Sequence, residues 1–422
     1  MNISQLEFSP VFASVYAVSI YGFMLVLAML LVRLNVFGRA LTVPSGRYGS
    51  LDGLRGLLAT GVFIHHTFVM NTYFTQGEWE WSSSAVFNQL GQSTVALFFM
   101  ITGFLFTLKA LNPKIDWKLL YASRLLRLLP LYAVVVVIVF GVVFYLSAGV
   151  MRESPWEIIK EFLIWISFVC FGRPDVNGYP MTWTLIANVN WSLKYEVIFY
   201  VFAVPFIHLI ARFVSVRSGL LISLGLIAMV LLFRWYRGGE GGISLYTVQF
   251  LGGVMVAYAY KMESIRLNVI EGRLIRWFAV AATASLFFMQ YAYGAAAIVG
   301  NIIMFAAVAG GASLFGLFKA KSAIWLGDIS YGIYLLHGLV LWIVLGALAR
   351  AGILAHLDLF EYWLVVLGVT AVVVLLASAS YTLMEKPLMG LLSAKKRAMR
   401  QQPQDSLAYG RGGTLVPDAV SR

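Results

Sequence analysis

Two ionisable side chains lie within one long apolar stretch of the sequence. Arg55 and His66 are eleven residues apart, which is about three helical turns plus 20°, so both would lie on the same face of an α-helix. The rise of about 1.5 Å per residue would separate them by about 16 Å along that helix. A neutral imidazole can accept a proton near neutral pH. His66 is therefore a candidate general base, while its neighbour His65 points about 100° away.

Each of these residues also has a structural interpretation. Arg55 can be an anchor whose guanidinium reaches the lipid headgroups, and His66 can be a hydrogen-bonded core histidine. An ionisable group in apolar surroundings is costly to bury. This cost favours a functional role for His66, whereas for Arg55 alone both interpretations remain open.

A pair of arginines follows in the next basic segment, Ser123-Arg124-Leu125-Leu126-Arg127. Residues at i and i+3 lie on one face of a helix, and the guanidinium fork suits bidentate binding of phosphate. The pair Arg124 and Arg127 is thus a candidate anion site. The alternative, charge that only sets membrane topology, is open as well.

A further polar group is Trp191-Ser192 with Glu196, at the start of another apolar stretch. We interpret Glu196 as a functional carboxylate, with an ion pair to Lys194 as the structural alternative. Later in the chain, Tyr331 and His337 are part of the segment Ser330-Tyr331-Gly332-Ile333-Tyr334-Leu335-Leu336-His337. His337 is expected at a depth close to that of His66, and Glu385 before Pro387 is interpreted as structural.

The composition indicates what holds these side chains. Of the 422 residues, 60% are hydrophobic and 12% are charged, and the mean hydropathy is +0.83. A soluble protein of this composition would expose large apolar patches, so a soluble enzyme, a disordered chain and a nucleic-acid-binding module are excluded. The single cysteine, Cys170, leaves no disulfide framework, and we expect no metal site.

The chain is predicted to be an all-α polytopic membrane protein. Apolar stretches of about 20 residues can cross a bilayer as helices, and the sequence contains about eleven such stretches. They lie near residues 11–32, 54–73, 92–110, 129–148, 191–211, 219–235, 243–260, 274–293, 295–317, 327–348 and 362–384. The shorter stretch 158–171 is predicted to be interfacial or re-entrant.

The net charge of +12 is topological information, because basic residues collect in cytoplasmic loops. Every second predicted loop is basic, which places the N-terminus outside and the C-terminus in the cytoplasm. Arg234 and Arg237 are exceptions, since they fall in a predicted outer loop. The segment 391–422 lacks apolar periodicity and is predicted to be a disordered cytoplasmic tail.

Taken together and in this order, the motifs resemble acyltransferase family 3, the integral membrane O-acyltransferases that act on extracytoplasmic glycans. The resemblance covers about 48–390 and leaves 1–47 as an additional N-terminal helix and loop. It is carried by Leu51-Asp52-Gly53-Leu54-Arg55-Gly56 with His66, Thr102-Gly103-Phe104, Arg124-x-x-Arg127, Trp191-Ser192-Leu193 through Glu196, the segment 330–337 and Glu385-Lys386-Pro387. Two positions depart from the family pattern: Thr102 replaces a serine, and Val197 replaces an acid.

The resemblance implies transfer of an acyl group, often acetyl, from cytoplasmic acyl-CoA to a hydroxyl of an extracytoplasmic saccharide. It makes His66 and Arg55 catalytic candidates, and Arg55, Arg124 and Arg127 ligands of acyl-CoA. The residues expected to bind or support the acceptor are Trp191, Ser192, Glu196, Tyr331 and His337. No permanently bound cofactor and no nucleic acid are expected, and the location implied is the bacterial inner membrane. The competing hypothesis is a transporter or flippase whose path the same residues line.

Overall fold

The computed structural model describes residues 10–37, 49–238, 242–262 and 293–391, and within them it contains helices and no strand. The first nine helices are α1 (Pro10–Arg33), α2 (Gly49–Gln76), α3 (Ala85–Ala110), α4 (Trp117–Leu146), α5 (Pro155–Ile166), α6 (Asn190–Ile198), α7 (Val204–Ile210), α8 (Val216–Tyr236) and α9 (Ile243–Lys261). The later ones are α10 (Ala295–Ala309), α11 (Lys321–Asp328), α12 (Ser330–Arg350) and α13 (Leu359–Ser380). The short 3-10 helices are Val176–Gly178, Thr182–Ile186, Leu317–Lys319 and Leu354–His356.

Side-chain caps fix several helix starts. The Asp116 side chain accepts a hydrogen bond from the backbone N–H of Leu119 at the start of α4. Asp358 and Glu361 form a reciprocal capping box at the start of α13. Such caps satisfy backbone N–H groups that have no partner inside the helix. The ends of these apolar helices are thereby defined by a few polar residues.

Eight helices among the described residues are long and apolar enough to cross a membrane. They are Val11–Arg33, α3, α4, the continuous Asn190–Ile210, α8, α9, α12 and the continuous Leu359–Leu391. The chain is therefore a multi-pass membrane protein. The predicted number of eleven spans and the orientation with the N-terminus outside stay predictions.

Helix α2 is not among those eight, although it has 28 residues. It packs against α1, α3, α11 and α12, and most of its residues are buried. A helix that neighbouring helices shield from lipid can carry polar side chains that a lipid-facing helix cannot. The central position of α2 explains why this helix, with Arg55 and His66, is the polar one.

Two predicted boundaries are wrong, and one predicted span lies outside the described residues. The stretch 295–317 is helical only as far as Ala309. The stretch 327–348 is interrupted at Ile329, where α11 ends and α12 begins. The stretch 158–171 forms α5, whose twelve residues extend about 18 Å and are too short to cross the hydrocarbon core. The span 274–293, apart from Tyr293, and the tail beyond Leu391 fall outside the described residues.

Two spans contain one turn of π-helix each. Phe199–Ala203 joins α6 to α7, and Tyr381–Glu385 follows α13. A π-turn inserts one extra residue into an α-helix and is frequent at functional sites. Both turns lie next to residues that the sequence singled out, Glu196 and Glu385.

Candidate active site: two cavities in one bundle

The first cavity, here called the arginine cavity, brings together three predicted arginines from two helices. Arg55 of α2 meets Arg124 and Arg127 of α4, and Glu196 of α6 is the only acidic residue in the described lining. Asp52 lies nearby and interacts electrostatically with Arg55. The cavity volume is about 100 Å³, which is room for roughly seven to ten waters. The described lining of this narrow cavity therefore carries more positive than negative charge.

Glu196 is held inside this cavity by hydroxyl groups. The Tyr200 hydroxyl donates to Glu196 Oε2 at 2.8 Å, and Thr102 Oγ1 donates to Oε1 at 3.5 Å. Thr102 thus supplies the hydroxyl that a serine would supply at that position. Lys194, the partner that the structural alternative required, lines the other cavity instead. Glu196 therefore faces the arginines and does not form the ion pair that the structural alternative required.

Arg124 lies between an aromatic ring and this carboxylate. Its guanidinium carbon is 5.3 Å from the centre of the Phe106 ring, and it interacts electrostatically with Tyr200 and Glu196. Its buried Nε has no hydrogen-bond partner within the part of the chain that the structure describes. A buried N–H without a partner is costly. The geometry therefore leaves one donor of Arg124 available for a ligand.

The second cavity, here called the histidine cavity, is larger. It has a volume of about 670 Å³ and is lined by aromatic, amide and cationic side chains and by one acidic side chain, Glu80. His65, His66, Trp79, Trp81, Gln92, Arg173, Asn188, Trp191, Lys194, Tyr195, Tyr246 and Tyr293 are among its lining residues. Aromatic faces beside hydrogen-bonding groups are suited to a polar ligand with apolar faces, such as a sugar ring.

His66 lies in the wall of this cavity and contacts His337 of α12. His337 Nε2 is 3.1 Å from His66 Nδ1. His337 Nδ1 is 2.9 Å from the carbonyl oxygen of Ile333, and a carbonyl only accepts, so this nitrogen carries the proton of a neutral His337. His337 Nε2 is then an acceptor, and the proton of His66 must lie on Nδ1, which is also 3.0 Å from the Val62 oxygen.

The other ring nitrogen of His66, Nε2, is consequently the unprotonated one. In this tautomer it has a free lone pair and can accept a proton from a ligand in the cavity. His65 differs, because its Nδ1 is 3.0 Å from the Phe87 carbonyl and its side chain is buried. The structure thus brings His66 and His337 together and leaves His65 in a structural hydrogen bond.

A glycine allows the loop beside His337 to approach α12. A Cβ on Gly338 would lie 2.6 Å from the backbone nitrogen of Ala187, closer than real contacts allow. Ala187 and Asn188 both have positive φ, 50° and 56°, as the chain turns back toward the cavity. Asn188 accepts a hydrogen bond from Arg173, which also stacks on the Trp183 ring. This loop therefore forms one wall of the histidine cavity.

Ser192 and Tyr334 lie between the two cavities. Both line the arginine cavity, and their hydroxyl groups are 2.7 Å apart. The Tyr334 ring centre is 6.2 Å from that of His337. The two cavities share no described lining residue. Ser192, Tyr334 and His337 thus lie in sequence between the arginine cavity and His66, with a hydrogen bond between the first two and a ring contact between the last two.

The remaining predicted site residues lie at the edges of these cavities. Trp191 lines the histidine cavity, and its ring centre is 4.7 Å from that of Tyr246. Tyr331 lines the arginine cavity and donates from its hydroxyl to the Leu128 carbonyl at 2.7 Å. Glu385 is fully buried, and neither of its carboxylate oxygens has a hydrogen-bond partner among the described residues.

Sequence reasoning did not assign roles to Tyr200, Tyr334 or Arg173. A helical spacing would have indicated the first two, because Tyr200 is four residues after Glu196 and Tyr334 is three residues before His337. Arg173 carries no such signal, since it reaches the histidine cavity from an irregular loop. No group of three potential metal ligands occurs within the described residues.

Comparison with known proteins agrees with this architecture. The chain belongs to acyltransferase family 3, described as "Acyltransferase domain", which matches residues 48–382. A similar curated protein is the peptidoglycan O-acetyltransferase OatA of Listeria monocytogenes serovar 1/2a, which is 26% identical over 322 residues. The match covers 68% of this chain and 48% of that relative, so the chain spans about half the length of the relative. No solved structure matches the chain.

The chain is thus a multi-pass membrane protein of an acyltransferase family. This membership favours the acyltransferase hypothesis over the transporter or flippase, the two hypotheses that the sequence left open. The geometry of the two cavities bears on the identity of the acyl donor and of the acceptor.

Proposed function

We propose that this enzyme transfers an acyl group, preferably acetyl, from cytoplasmic acyl-CoA to a hydroxyl of an extracytoplasmic saccharide. Two findings support a saccharide acceptor: the curated relative acts on peptidoglycan, and the histidine cavity is large, polar and lined by aromatic rings. The proposed location is the bacterial inner membrane. The proposed catalytic domain is 48–390, with 1–47 as an additional N-terminal segment and 391–422 as a cytoplasmic tail.

The arginine cavity is the proposed donor site. Arg55, Arg124 and Arg127 would bind the phosphates or the thioester end of acyl-CoA through charge-assisted hydrogen bonds. The pantetheine arm of acyl-CoA is long enough to span the distance of about 16 Å from Arg55 to His66. The phosphates would therefore stay near the arginines, and the acylated end of the arm would extend into the bundle.

His66 is the proposed general base. As the acceptor oxygen attacks the thioester carbon, its proton moves to His66 Nε2 and a new C–O bond forms. The C–S bond then breaks, and the CoA thiolate leaves and is protonated. His66 Nδ1–H keeps its contacts with His337 Nε2 and the Val62 oxygen, which would stabilise the imidazolium. Trp191 would help to bind the acceptor. Support for the substrates between the two cavities would come from Ser192, Glu196, Tyr331 and His337.

The observation that carries this proposal is the arrangement of two chemically different cavities along helix α2. Arg55 lines one and His66 lines the other, as the spacing of about 16 Å requires. An enzyme whose two substrates lie on opposite sides of a membrane needs such an arrangement. The acylated end of the donor would pass Ser192, Tyr334 and His337 to reach His66 with its thioester intact.

The test is release of CoA from acetyl-CoA by the purified protein in vesicles of defined orientation. Release should require a saccharide on one side and acetyl-CoA on the other. A reporter active only in the cytoplasm should be active when fused after Arg400 and silent near Gly77. No CoA release with any saccharide, or release that ignores sidedness, would contradict the proposal.

A further inference from the structure

A long apolar groove lies on the lipid side of the bundle between α6–α7, α8 and α9. It has a volume of about 280 Å³, and its described lining is almost wholly apolar. Residues that line it include Tyr195, Phe199, Phe202, Phe206, Ile222, Leu226, Ile243, Tyr246, Phe250 and Tyr258. Phe202 and Phe206 are strongly exposed. The groove is therefore open toward the membrane and not a closed cavity.

The groove has the length of a long hydrocarbon chain. Along α9 it extends from Ile243 to Tyr258, and these fifteen steps correspond to about 22 Å. At the end near Tyr258, a Cβ on Gly219 of α8 would collide with the Tyr258 ring, so α8 and α9 are in close contact there. The helices close the groove at that end.

At the opposite end the groove adjoins the histidine cavity. Tyr195 and Tyr246 line both, and their ring centres are 4.6 Å apart. Trp191, at 4.7 Å from Tyr246, belongs to the same aromatic cluster. The groove and the cavity of His66 are therefore neighbours, separated by the side chains of this aromatic cluster.

One cation lies next to this aromatic cluster in the chain. Lys194 precedes Tyr195 on α6 and lines the histidine cavity, whose lining also includes Arg173 and the acidic Glu80. The Lys194 ammonium matches a phosphate that is followed on one side by an apolar chain and on the other by a sugar. The order groove, cation, aromatic cavity and His66 therefore corresponds to the parts of one amphiphilic molecule.

We propose that the acceptor is a phosphate-linked glycolipid whose hydrocarbon chain lies in this groove and whose saccharide lies beside His66. This inference rests on the proposed function for its catalytic meaning, but binding itself does not depend on catalysis. Lys194 would hold the linking phosphate. A saccharide free in water would use the histidine cavity alone.

Two variants of α8 test the groove. Ile222 lines it, whereas Leu224 is equally exposed, at 45%, and is not among the groove residues. The probe is N-acetylglucosamine linked by diphosphate to a polyprenyl chain with a photoreactive group. Crosslinking is mapped in the wild type, Ile222→Trp and the matched control Leu224→Trp. A water-soluble N-acetylglucosamine tetrasaccharide serves as the second acceptor.

Crosslinks should map to the groove, and Ile222→Trp should reduce them about tenfold, the scale expected when a close apolar fit is lost. Leu224→Trp should change them less than about twofold. Acyl transfer to the lipid-linked acceptor should fall with crosslinking, while transfer to the soluble tetrasaccharide should not. Unlabelled polyprenyl diphosphate-linked sugar should compete, and phosphatidylglycerol should not.

Equal competition by phosphatidylglycerol, or equal crosslinking in both tryptophan variants, would overturn the inference and leave the groove as a site for bulk lipid. Groove crosslinking that Ile222→Trp abolishes, without transfer to either acceptor, would support the lipid site and overturn the proposed function instead. Transfer to the tetrasaccharide without crosslinking in the groove would support the proposed function and overturn the lipid site.

Discussion

The arginine cavity and the histidine cavity differ in almost every physical respect, although one helix lines both. The first has about 100 Å³ and holds Glu196 among three arginines. The second has about 670 Å³, aromatic walls and a histidine whose Nε2 is free. The difference shows how one helix can line two chemically distinct cavities, and a separation of about 16 Å between Arg55 and His66 would keep charge binding apart from proton transfer.

The largest expected effect comes from removing the base. His66→Ala should lower acyl transfer by about 10²–10⁴-fold, as loss of a general base does. Binding of acyl-CoA should stay unchanged, because the arginine cavity does not contain His66. Initial rates and acyl-CoA binding, measured on the same preparation, check both statements.

The matched control for this variant is the neighbouring histidine. His65→Asn retains an N–H near the Phe87 carbonyl and should affect the rate far less than His66→Ala. A His66→Ala enzyme that still transfers at a near wild-type rate would end the assignment of the base. Equal losses in both variants would mean that the histidine cavity had merely been distorted.

The next variants remove one guanidinium from the arginine cavity and should affect donor binding. Arg124→Ala or Arg127→Ala should weaken acyl-CoA binding by about ten- to a hundredfold, the scale of one lost charged hydrogen bond. Lysine at the same position should restore binding only partly, because it cannot bind bidentately. Calorimetric titration with a non-hydrolysable acyl-CoA measures the effect, and normal binding in both alanine variants would reduce the arginines to topological charges.

A smaller effect is expected from the residue that orients His66. His337→Phe removes the acceptor Nε2, so the His66 proton is no longer directed away from the cavity. Transfer should fall about tenfold, the lower end of the range for outer partners of a functional histidine. The pH–rate profile should shift as well, which a purely structural defect would not cause. An unchanged profile would separate His337 from proton transfer.

The smallest expected effect concerns the loop that walls the histidine cavity, outside the membrane-spanning segments. Glu161 of α5 accepts a hydrogen bond from the Asn177 backbone at 3.0 Å. Burial, and secondarily the neighbouring Glu153, raises the pKa of Glu161 from 4.5 to about 7. The folded protein therefore binds the proton more tightly than the unfolded chain, and stability falls as pH rises from about 4.5 to 7.

Glu161→Gln removes this dependence because an amide does not ionise. Its melting temperature should exceed that of the wild type by about 1–2 °C at pH 8 and match it near pH 5. Thermal unfolding followed by tryptophan fluorescence at both pH values measures the difference. A variant less stable at pH 8 would show that the ionised carboxylate holds the loop.

Much of this arrangement follows from local sequence. The periodicity of 3.6 residues places Arg55 and His66 on one face of α2, and the spacing of Arg124 and Arg127 places both on the arginine cavity. His66 and His337 are 271 positions apart in the sequence. The only indication from the sequence that they could meet was their similar predicted depth in the membrane. Arg173 enters from a loop with left-handed residues, and no hydropathy pattern encodes such a path. The ion pair of Glu196 with Lys194, the structural alternative from short-range spacing, does not form, because Glu196 packs against Thr102 of a distant helix.

The two π-turns, Phe199–Ala203 and Tyr381–Glu385, each contain one residue more than an α-helical segment of the same length along the axis. Because the turn takes up this residue locally, the helical segments before and after it keep their relative orientation. Deleting one residue there would convert the turn to regular α-helix and would leave the groove-lining α7 in nearly the same orientation relative to Glu196. Deleting one residue in the regular helix on either side would instead rotate everything beyond it by about 100°. These two turns are therefore the places in their spans where a one-residue deletion disturbs the site least.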